Sequence, residues 1–149
     1  MKRTTTIAAI ILIASLAGCA SGPPVNKATR SGYAEAMIPH LNGEEIRDKI
    51  VSRCLDRGFS IETSTETQVV CRQRIDGAAG IMTWAMIGNS YSTQPDVVLR
   101  FTIANSEGAY RVVAQPHAET QMAMGQMRRM DLKENNQLRN NIQAFLDSI

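Results

Sequence analysis

The chain has 149 residues, with 16 lysines and arginines against 14 acidic residues, and 44% of its residues are apolar. That length suits a single domain with its own core and no need of metal clips. A formal charge of +2 gives no general electrostatic case for nucleic acid as a partner.

The N-terminus reads Met1-Lys2-Arg3, followed by a run from Ile7 to Ala17 that only Ser15 interrupts, and it closes on Leu16-Ala17-Gly18-Cys19. A basic start, an apolar core and small residues before a cut site are the anatomy of a secretory signal peptide. The apolar run is 11 residues long, whereas spanning a bilayer takes roughly 20. No other stretch is long enough to span.

The Leu16–Cys19 pattern resembles the lipobox of bacterial lipoproteins. The resemblance implies cleavage before Cys19 and acyl chains on that cysteine. With Ala20 rather than an aspartate following, it also implies an outer-membrane protein that faces the periplasm. Lys2 and Arg3 then leave with the signal, and 14 basic residues face 14 acidic ones. The expected organisation is a signal peptide over 1–18, a lipidated cysteine and flexible tether over 19–41, and a globular domain over 42–149. In an oxidising periplasm the remaining even pair, Cys54 and Cys71, reads as a disulfide, the alternative being two buried thiols.

Ala20 to Arg30 contains Ser21, Gly22, Pro23 and Pro24 and offers little to bury, so it reads as the tether. Tyr33 to Leu41 is more apolar and is the candidate first ordered segment. A helix is expected from about Gly43 to Arg57. Asn42 and Glu45 form a capping pair, Ile46, Ile50, Val51, Cys54 and Leu55 make the inward face, and Gly58 is the stop. Phe59, Ile61 and Thr63 alternate as a strand, and a second strand follows around Val69–Arg72 with Val69 and Cys71 on one face.

Gly77 to Asn89 reads as a short helix or loop crossing between strand pairs. From Asp96 the period is two. Val97, Leu99, Phe101 and Ile103 lie on one face, Asn105–Gly108 makes a turn, and Tyr110, Val112 and Ala114 return. Ala118 to Met130 has no clear period. A final helix is expected over 132–148, capped by Asp131 with Glu134, with Leu138, Ile142, Phe145, Leu146 and Ile149 inward. The order α-β-β-(α)-β-β-α argues an α+β fold, a four-stranded antiparallel sheet with the N- and C-terminal helices on one face.

Chemistry is sparse. His40 and His117 lack neighbours at metal-ligand spacing, and no HExxH, GxSxG or glycine-rich phosphate loop occurs. No catalytic residue, cofactor or metal site is therefore expected. Met122, Met124, Met127 and Met130 suggest Cu(I), but Arg128 and Arg129 oppose a cation there, and methionine also serves as adaptable packing. Arg72, Arg74 and Arg100 form a candidate basic stripe on the outer sheet face.

Ile81, Met82, Trp84 and Met86 are the candidate partner-binding patch, with Trp84 capping the core as the plainer reading. The expected function is a non-enzymatic accessory or binding module for another cell-envelope protein, held to the membrane by the lipid on Cys19. The alternative is a carrier of a small ligand or lipid, with a helix lying across a curved sheet. That alternative expects an enclosed apolar cavity between the last helix and the Val97–Ile103 strand.

Overall fold

A computed structural model describes residues 23–77 and 93–149 of the chain. Cys19 and the whole Ile81–Met86 patch lie outside the described residues, as does nearly all of the expected crossover at Gly77–Asn89. The elements run β1 (Ala34–Ile38), α1 (Gly43–Asp56), β2 (Ser60–Ser64), β3 (Gln68–Arg74), β4 (Asp96–Ser106), β5 (Ala109–Gln121), β6 (Met127–Asp131) and α2 (Asn136–Leu146). The fold is α+β, and the sheet is antiparallel with six strands.

The order across the sheet is β1-β5-β4-β3-β2, with β6 also on β5. β5 is 13 residues long. Its Tyr110–Ala114 half pairs with β1 and its His117–Gln121 half pairs with β6, so two short strands lie end to end along one edge. The β4–β5 hairpin turns through Glu107 (φ 52°) and Gly108 (φ 85°), the left-handed pair that a tight hairpin turn requires.

Both helices cover one face of the sheet. α1 starts from a complete capping box: the Asn42 side chain accepts from Glu45 N and the Glu45 carboxylate accepts from Asn42 N, each at 2.9 Å. It buries Ile46, Ile50 and Cys54 against Val69 and Cys71 of β3 and Leu99 and Phe101 of β4. α2 packs beside β1 and adds Ile142 and Leu146 to the same core as Ala34, Ala36 and Ile38. Cys54 and Cys71 are joined by a disulfide that ties α1 to the middle of the sheet. The pairing expected from the sequence is present.

Four strands were expected and six are found, for two reasons. β1 has the sequence AEAMI, in which small Ala34 and Ala36 fill the core positions and carry little strand signal. β6 has the sequence MRRMD and is an edge strand, held by backbone pairing rather than by a buried face. The last helix begins at Asn136, not 132. Asp131 ends β6, where it accepts from Tyr33 Oη and from Lys133 N at 2.7 Å. Asn135 is the actual cap, accepting from Leu138 N at 3.0 Å.

The stretch over 19–41 is not a free tether along its length. Besides containing β1, it is bound to α2 from Pro24 onward. Asn140 accepts from Asn26 N at 2.9 Å and donates to Pro24 O at 2.8 Å. Lys27 pairs with Asp147 at 2.6 Å, and Arg139 donates to Lys27 O and to Thr29 Oγ1. Polar side chains on the outer ridge of α2 therefore order backbone that has almost nothing apolar to bury.

Candidate functional site

Among the described residues, two places concentrate side chains with something to do: a row of charges on the sheet face opposite α1 and α2, and a cleft between those helices on the other face.

The charged row follows from cross-strand register. Arg74, Asp96, Glu119 and Arg129 sit opposite one another on β3, β4, β5 and β6, and Arg72, Val98, His117 and Asp131 form the next row. Glu119 is 2% exposed. Its two oxygens take Arg72 on one side and Arg129 Nε at 3.0 Å on the other. Arg72 also binds Glu62 at 2.9 Å and Asp96 at 3.1 Å. Arg72 and Arg74 are thus paired with carboxylates, and the expected basic stripe is instead a neutralised network. Arg100 shares this face.

Burial pushes the Glu119 carboxyl up, but the hydrogen bonds and charges of Arg72 and then Arg129 outweigh it and hold the group below the usual carboxylate range. Burial likewise works against the Arg72 guanidinium, and Glu119, Glu62 and Asp96 more than restore it.

His117 Nε2 lies 3.4 Å from Glu119 Oε2 but makes no hydrogen bond among the described residues. A histidine beside a carboxylate is the pair an enzyme would need. Here the carboxylate is held ionised between two guanidiniums, which makes it a weak base. The arrangement fixes β6 and β3 to β5 rather than presenting a reactive group. His40 is exposed in the β1–α1 loop, away from this row.

The methionine stretch forms the β5–β6 turn and the edge strand. Met124, at φ 70°, is 97% exposed, and Met127 is also exposed. Met122 and Met130 are half-buried.

On the other face, α1 lies over β2–β4 and α2 beside β1, and a gap remains between the two helices above β4. The result is a cleft of about 270 Å³. Leu99 and Phe101 of β4 form its floor, Cys54 and Phe59 one wall, and Leu138, Ile142 and Phe145 the other. Gln73, Asn141, Arg53 and Arg57 stand at its rim. Phe59, Leu138 and Phe145 are only partly buried although they pack on the core, because the cleft keeps one side of each open.

Arg53 lies over the Phe145 ring, 5.5 Å from its centroid. Neither Arg53 nor Arg57 is in an ion pair among the described residues. An apolar slot with a few convergent polar groups and, among the described residues, two cations outside any ion pair has the makings of a binding site. It lies where the carrier reading expects a cavity, between the last helix and Leu99–Phe101, but it is open to solvent rather than enclosed. No family model, curated protein or solved structure matches this chain.

Proposed function

We propose that the chain is a non-enzymatic lipoprotein of the outer membrane, anchored through acyl chains on Cys19 and facing the periplasm, whose domain is a binding module. The observation that carries this reading is the α1–α2 cleft, an apolar recess lined by residues of the core and its margin. Of the two forms such a module can take, accessory to another envelope protein or carrier of a small apolar ligand, the cleft favours the carrier. Its walls are helices whose backbone groups are bonded internally, so it offers a peptide backbone almost no partners.

The anchor fits the same picture. Among the described residues no helix is long and apolar enough to cross a membrane. The chain is pinned to α2 at Pro24. Five residues from Cys19 to Pro24 reach at most about 18 Å, so the domain is held close to the lipid surface.

Two measurements test this. Cys19→Ser should abolish lipidation and release the protein from the membrane fraction; unchanged membrane association contradicts the anchor. A benzophenone amino acid in place of Leu138, irradiated in intact cells, should capture a bound molecule from within the cleft. Capture no greater than from an exposed control position such as Glu107 contradicts the binding site.

A further inference from the structure

The cleft combines an apolar interior with two guanidiniums on one lip that are in no ion pair among the described residues, and from that combination we infer that its ligand is an anionic single-chain amphiphile, a fatty acid or a lipid of the same chemistry. The inference rests on the binding-module reading and names what that module holds.

Two observations and the proposed anchor carry it. The first is size. An apolar cavity of about 150 Å³ accepts benzene, which sets about 25 Å³ per carbon. On that scale 270 Å³ takes an alkyl segment of roughly ten carbons.

The second is charge. Arg53 and Arg57 are one helical turn apart at the end of α1, so both reach the same mouth. Asp56, the acidic residue between them, does not line the cleft; it lines a neighbouring polar groove with Lys49 and Ser52, which Arg53 and Phe145 border from their other side. The two positive charges at the mouth therefore suit a carboxylate or phosphate head, which guanidinium groups bind through paired hydrogen bonds. The third is position. A domain leashed within about 18 Å of a bilayer sits beside a reservoir of such molecules. Among the described residues Gln73 and Asn141 are the amide side chains at the rim, and Gln73 already donates to Arg57 O at 3.3 Å, which leaves too few groups to satisfy a buried peptide.

The test is photolabelling of the full chain in phosphatidylcholine vesicles, using decanoate that carries a diazirine near its methyl end. Labelling should saturate and map to Phe59, Leu99 and the 138–145 stretch of α2. It should fall about tenfold in a variant carrying Arg53→Gln and Arg57→Gln, which loses the Arg53–Phe145 contact but changes only exposed positions, and whose urea midpoint should stay close to that of the parent. It should fall similarly when the probe is the corresponding decanol. Equal cleft labelling by decanol and decanoate, indifferent to the two arginines, overturns the anionic ligand while leaving an apolar binding module standing. Labelling that never saturates, or that avoids the cleft, removes both.

Discussion

Cys54 on α1 is bonded to Cys71 on β3, and Cys54 is also part of the cleft wall. The same bond that staples the helix to the sheet therefore fixes one side of the binding recess. The sequence separation is 17 residues, and closing a loop of that size contributes about 3 kcal/mol in the chain-entropy model. Reduction, or paired Cys54→Ala and Cys71→Ala changes, should lower the urea midpoint accordingly. A midpoint insensitive to reductant contradicts the bridge.

Glu119 is the residue on which the charged row opposite the α1–α2 face depends. Its replacement by alanine leaves Arg72 and Arg129 facing a buried gap, and should cost about 3 kcal/mol or more. In double-mutant cycles the coupling to Arg72 should exceed the coupling to Arg129, because Arg129 is 60% exposed against 28% for Arg72. The opposite ranking would mean that β6, not β3, holds the carboxylate.

The acid limb of stability should have a second source at Glu35. Its bond to Arg111 at 2.8 Å, opposed by burial and helped by Ser31, lowers the carboxyl from 4.5 to about 2. A carboxyl lowered on folding stabilises above its unfolded value, and that contribution is lost as pH falls through the folded one. Stability should therefore decline between about pH 4.5 and pH 2. Discounted for the exposure of Arg111, the contribution is about 1–2 kcal/mol. Glu35→Gln should flatten that part of the pH–stability curve; an unchanged slope contradicts the assignment.

Asn140 tests the docked N-terminal segment. Its side chain makes both bonds to Pro24 and Asn26. Asn140→Ala should cost about 1 kcal/mol or less in global stability and should expose Lys27 and Arg30 to trypsin. Equal cleavage in both proteins would show that Lys27–Asp147 and Arg139 hold the segment alone.

The elements legible in the sequence are those whose inward face is large and regular. α1 appears with its capping pair, and the β4–β5 hairpin appears through Val97, Leu99, Phe101 and Ile103. β1 escapes because alanine fills its core positions, and β6 because an exposed edge strand buries no apolar stripe. The extension of β5 past Ala114 is hidden by Pro116 and by the inward polar Thr120, which donates to Thr93 O at 2.6 Å. The charged row is invisible in sequence because register alone brings residues 74, 96, 119 and 129 together. The cleft is half legible. Phe59, Leu138 and Phe145 all read as inward residues, but periodicity says which way a side chain faces and not whether two facing walls meet.

The central claim is that the α1–α2 recess binds an apolar group, and filling it is the most direct test. Asn141 stands at the rim and is not a core residue, so Asn141→Phe should occupy the recess without loss of stability. Capture of ligand by the photoreactive group at position 138 should then fall at least tenfold while the thermal midpoint stays the same or rises. Undiminished capture in a filled, fully stable variant would contradict the account.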